Sequence, residues 1–201
     1  MLDQTTYPLS QQFSIGFSAY EDRLLLTTEL AQGGHTTLLL TRRMVMLMLQ
    51  QILHKLPELT GLEQTPVAYW QEVLQLSHQK ALEQRKVEPG SEQPHSEQLE
   101  SVTSQPTLST DNAQLFLATE LTTQLQPGTL LLAFKGLPVP DAMQSSCPHV
   151  PVLAVSLEAA HVHQVLQLLI TKATEAMWHL PLDLPWMDAP SDVPATHKLS
   201  H

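Results

Sequence analysis

The sequence predicts an α+β fold: antiparallel β-sheet packed by two main amphipathic helices. Three observations carry that reading. Short β-prone runs come in pairs around glycine, with "DRLLLTTEL" and "TTLLL" flanking "AQGGH", and "AQLFLATEL" and "TLLLAFKG" flanking "QPG", which is the pattern of hairpins. Longer segments with helical apolar spacing follow the paired runs rather than alternating with single strands, which argues for antiparallel pairing. Outside two polar stretches, roughly 150 residues remain, enough to bury one core.

Each element has its own local cause. "FSIGF" alternates Phe13, Ile15 and Phe17, as one buried strand face does. The first glycine hairpin follows, and Thr41 is a passable N-cap for a helix that Pro57 stops near Leu56. Thr65 and Pro66 open a second helix, as N-cap and first helical residue, running to about Lys86. From Val87 to Asn112 the chain turns to Ser, Gln, Glu and Pro with isolated aliphatics. Such a composition buries too little apolar area to offset its ordering entropy, so a disordered linker is expected. After the second hairpin, "PVLAVS" reads as a further strand. Ser156 then caps a long helix, "LEAAHVHQVLQLLITKATEAMWHL". The expected organisation is therefore a first half at 1–86, the linker at 87–112, a second half at 113–180 packing with the first, and an extended Pro-rich tail at 181–201.

Leu24–Leu30 reads "LLLTTEL" and Leu115–Leu121 reads "LFLATEL", each followed by a glycine turn and "TLLL". This order suggests two βββα halves from a duplicated unit. Leu and Thr are abundant enough to give short matches by composition alone. The halves also differ after "TLLL", where the first goes directly to helix and the second interposes "PVLAVS". In element order alone, a doubled βββα unit resembles the PUR and whirly-type domains. That resemblance implies twisted sheets presented to single-stranded nucleic acid. None of those families' motif residues carries over, and the strands offer only Phe13, Phe17, Arg23, Phe116 and Lys135 for such a face.

The formal net charge is -10, a balance that repels phosphate backbones and anionic lipid. Nucleic acid is therefore disfavoured as a partner. A single cysteine, Cys147, leaves no internal disulfide and points to a reducing compartment. The first residues, "MLDQTTYPLSQQ", carry neither a basic nor an apolar signal region. The longest strictly apolar run, Met44–Leu49, falls far short of the roughly 20 residues of a membrane span. A cytoplasmic protein without a membrane segment is expected.

Motifs for chemistry are scarce. Arg42 and Arg43 stand where the first helix begins, an unfavourable place for positive charge. Either they and the free N–H groups hold an anion, or they pair with Glu21 and Asp22 at the strand-to-helix corner. The second alternative is preferred, each exposed bridge being worth under about 1 kcal/mol. Cys147, His149, His161 and His163 invite a metal reading. However, His161 and His163 diverge by about 200° on a regular helix, and no four-ligand spacing is present. Solvated histidines, no metal and no cofactor are expected. No nucleophile elbow, Walker loop or dinucleotide fingerprint occurs among the seven glycines.

Surfaces are more informative. On the first helix Val45, Leu49, Ile52, Leu53 and Leu56 form the core stripe, while Met44 and Leu47 lie toward the polar side and imply a second contact. That contact is either the other half of the chain or a homodimer partner. Trp178 points off the long helix's stripe and needs a cover, for which the tail that follows is the nearest candidate. In the tail, Trp186 and Met187 are anchors either for a partner or for the chain's own domain. The leading expectation is a non-catalytic accessory or adaptor protein acting through contacts at Met44, Leu47, Trp178, Trp186 and Met187 with an unidentified protein. A single-stranded nucleic-acid binder is the alternative, and an enzyme without a local motif comes third.

Overall fold

A computed structural model describes residues 6–87 (side chains through 84), 114–182 and 184–187. The expected linker and most of the expected tail lie outside these residues. Six strands form one sheet in chain order: β1 (Ser10–Ser18), β2 (Arg23–Leu30), β3 (His35–Leu40), β4 (Gln114–Gln126), β5 (Thr129–Pro138) and β6 (Val150–Glu158). All neighbours are antiparallel except β3 and β4, which pair in parallel through Thr36–Leu39 and Gln114–Leu117. A second parallel contact joins the outer strands' ends: Leu9 bridges Ala154, whose N–H donates to the Pro8 carbonyl at 2.8 Å. The two three-stranded meanders thus meet in parallel at both of their borders.

Alternation decides which face is buried. Phe13, Ile15 and Phe17 stand opposite Thr28, Leu26 and Leu24, and Leu26 and Leu24 stand opposite Leu38 and Leu40. Leu130, Leu132 and Phe134 face Leu157, Val155 and Leu153 in the same way. These residues share one core with α1 (Arg42–Thr60) and α4 (Ala159–Glu175). Helix α2 (Trp70–Val87) lies against α4, and a short α3 (Asp141–Gln144) follows β5. Both halves are βββ followed by helix. The sequence echo, however, matches β2–β3 with β4–β5, one strand out of phase with that topological repeat.

Element ends differ from expectation for identifiable reasons. Thr41 does cap α1, accepting from the Met44 N–H at 3.2 Å. The helix runs through Pro57 to Thr60, because its last turn is closed from beyond: Gly61 at φ +70° turns its N–H back to the Pro57 and Glu58 carbonyls. Pro66 opens a 3-10 turn at Val67–Tyr69, and α2 begins only at Trp70. Strand β6 outlasts Ser156, since Leu157 continues its buried alternation, and Glu158 becomes the N-cap position. Helix α4 stops at Glu175 instead of Leu180. Met177 takes φ +54°, its N–H reaches the Thr174 carbonyl, and the Trp178 N–H reaches the Ala173 carbonyl at 2.8 Å. That pair of bonds is a Schellman end built without glycine.

Candidate functional site

Helix α2 docks on the polar side of α4, not on an apolar stripe. The face of Gln164, Gln167, Thr171 and Thr174, opposite the apolar side of α4, is partly an interface. Gln164 Nε2 donates to the Ala81 carbonyl at 3.0 Å, and Gln167 Oε1 lies 3.2 Å from His78 Nε2. Small and polar residues on α2's inner side, His78 and Ala81, make this fit; both are buried. The Schellman end turns the chain back, and a 3-10 turn at Pro185–Met187 lowers Trp186 into the angle between the two helices.

Three rings meet there. The centroids of His78, His163 and Trp186 are each 5.6 Å from the other two, and the indole stands edge-to-face with both imidazoles. Exposure is 3% for His78, 1% for His163 and 7% for Trp186. His78 Nδ1 and both ring nitrogens of His163 are buried with no hydrogen-bond partner among the described residues. Burial lowers the proton affinity of both rings. For His163, desolvation and then the charge repulsion from His78 bring the pKa down to about 4; for His78, desolvation outweighs the raising effect of Gln167. Both imidazoles are neutral at pH 7. The expectation of solvated histidines is corrected for His163, which lies on the side of α4 that α2 and Trp186 cover. His78 carried no motif; its only signal was its place between Leu74 and Ala81 at helical spacing on α2.

The remaining sequence-nominated residues fall elsewhere. Arg42 and Asp22 do not pair with each other. Both hold the segment after α4: Arg42 Nη2 donates to the His179 carbonyl at 2.7 Å, and the Trp178 indole N–H donates to Asp22 Oδ1 at 2.7 Å. Trp178 is buried, edge-on to Phe17 at 6.5 Å, so its cover is strand β1 and the β1–β2 turn. Arg43 and Glu21 are exposed and form no ion pair among the described residues. Met44 is buried in the core and Leu47 packs at its border, on a helix that meets α4 and β4. Their second contact is therefore within the chain. Trp186 and half-buried Met187 likewise dock in cis, the own-domain alternative of the two that the sequence leaves open for them.

On the open face of the sheet, bulges after Ala118 and Phe134 gather Thr119, Glu120, Lys135 and His149. Thr119 Oγ1 lies 2.7 Å from His149 Nδ1, Glu120 lies 3.8 Å from the same nitrogen, and Lys135 Nζ lies 3.2 Å from Glu120. A relay would need opposite ring nitrogens; here both contacts share Nδ1. Cys147 contacts the Ser145 carbonyl at 3.6 Å, and no group of three or more His, Cys, Asp or Glu suited to a metal occurs among the described residues. Phe13, Phe17 and Phe116 pack on the helix side, away from the face a nucleic-acid strand would use. Among the described residues no helix is long and apolar enough to cross a membrane.

The outward side of α2 is different in character. Tyr69, Val73 and Leu76 follow one another at i, i+4 and i+7 and stay exposed, Tyr69 at 55% and Leu76 at 66%. Val67, just before the helix, is exposed beside them in sequence.

Fold and site together define a class: a six-stranded α+β protein with a buried imidazole pair closed by a tail-borne indole. No protein-family model, no curated protein and no solved structure matches the chain.

Proposed function

We propose that this is a non-catalytic, cytoplasmic binding module that engages a protein partner through the outer face of α2. The observation that carries the reading is the exposed Tyr69–Val73–Leu76 stripe. Three large apolar side chains at helical spacing, Tyr69 closing the 3-10 turn and Val73 and Leu76 on α2, match the anchor pattern of helix-in-groove recognition. Polar residues flank the stripe: Gln71, Glu72 and Lys80 supply a rim.

The test compares the wild-type chain with Val73→Asp/Leu76→Asp. The substitutions are at exposed sites and leave the urea midpoint within error. A defined partner retained by wild type and lost by the variant supports the reading, and sedimentation velocity identifies that partner as a second copy if the loss is of self-association. Identical capture and identical sedimentation by both proteins overturn it.

A further inference from the structure

Independently of the α2 surface, the angle between α2, α4 and the C-terminal segment holds donors that the fold itself leaves unused. Burying polar nitrogens without partners is unfavourable, and an apolar side chain of similar size avoids the penalty. Three such nitrogens belong to this cluster: His78 Nδ1 and both ring nitrogens of His163.

Hydrogen bonding fixes what one of them offers. Gln167 Nε2 donates to Thr171 Oγ1 at 3.2 Å, which orients the amide so that Oε1 faces His78 Nε2. An amide oxygen only accepts, so Nε2 carries the hydrogen and His78 Nδ1 presents a bare lone pair. A hydrogen bond to the ring's other nitrogen is how a neighbouring group orients a metal-binding histidine. Neutral His163 presents a lone pair in either tautomer. Ring centroids 5.6 Å apart allow one ion to bond a nitrogen of each ring at about 2 Å in a bent arrangement.

The donor set selects the ion. No third His, Cys, Asp or Glu joins the pair among the described residues. Zinc wants four donors, and calcium or magnesium wants six or more oxygens. The indole packs edge-to-face on both imidazoles, and its π-electron density would attract a cation held between them. Imidazole nitrogen is a ligand that suits copper, and a monovalent d10 ion accepts as few as two donors. We infer that His78 and His163 bind one soft monovalent metal ion, Cu(I) or its redox-inert analogue Ag(I), with Gln167 orienting His78 and Trp186 covering the ion. Burial keeps both rings unprotonated near neutral pH, so no proton competes. A cleft of about 380 Å³, lined by Leu59, Ser77, Ala81, Ala160 and His163 among others, reaches one of the two rings.

Ag(I) titration of the purified full chain in chloride-free buffer tests this, with dialysis and metal analysis for stoichiometry and histidine ¹⁵N NMR for location. Wild type is expected to take up one tight equivalent that shifts the ring nitrogens of His78 and His163. His163→Leu, which also removes two unpaired polar atoms and so preserves folding, is expected to weaken that site at least tenfold. His78→Gln is a second variant with the same expectation. Trp186→Phe keeps the stoichiometry and weakens binding severalfold. No tight equivalent, undiminished binding in both histidine variants, or Zn(II) shifting the same nuclei with equal affinity each overturns the inference.

Discussion

Acid should destabilise this protein well above the pH at which carboxylates ordinarily titrate, and His163 is the main reason. Unfolded, its imidazole titrates near the usual 6.5; folded, it is held to about 4. Between those values the unfolded state binds more protons, so stability is fully present above about pH 6.5 and is lost as pH falls. For a single site with those two constants, the loss between pH 7 and pH 5 is about 2 kcal/mol. His78 shifts in the same direction and adds to it. Against a typical total of roughly 5–15 kcal/mol, that is a readable fraction. Urea unfolding at pH 7, 6 and 5, with chelator present, measures it for wild type and for His163→Leu. The variant's curve is expected to be flatter by about 2 kcal/mol over this range. Parallel pH dependences for the two proteins would refute the reasoning, because the proton sensitivity would then reside elsewhere.

Trp186→Ala removes the ring that covers both histidines and should cost about 3 kcal/mol in urea unfolding, while shrinking the same pH dependence as water reaches the imidazoles. Asp22→Ala strands the buried Trp178 indole N–H and puts alanine at φ +50°, an expected loss of about 2–3 kcal/mol. Asp22→Asn keeps an acceptor and tolerates that backbone, so it should lose under about 1 kcal/mol; thermal unfolding of the pair checks the contrast. Met177→Gly acts in the opposite sense. Its side chain is exposed and its φ is +54°, so glycine relieves strain and should stabilise by about 1 kcal/mol in the same assay.

The sheet was legible because its signals are local. Alternation at Phe13, Ile15 and Phe17, and glycine turns at Gly33–Gly34 and Gly128, mark strands and hairpins from a few residues each, and the four glycines with positive φ among the described residues lie at turns or a helix cap. The end of α4 was illegible for the complementary reason. Its left-handed residue is methionine, and the bonds that stabilise the turn become visible only once Trp178 has Asp22 and Phe17 to dock on. The corner of Arg42 and Asp22 was half legible: both side chains do secure it, but through a segment more than a hundred positions away in sequence.

The candidate site illustrates a sharper limit on reading one helix at a time. A helical wheel sorts residues into apolar and polar faces and assigns the polar face to water. On α4 that face carries Gln164 and Gln167, and both turn out to bond α2. Whether a glutamine faces solvent or a buried partner depends on what the second helix presents. Here α2 presents Ala81, small enough to expose its carbonyl to an approaching side chain, and His78, able to donate to an amide oxygen. The histidine pair then exists only because two sparsely apolar faces were matched to each other and closed by an indole from the tail. Polar complementarity between elements, invisible to periodicity in either alone, is what made this cluster and what gives its rings their unusual chemistry.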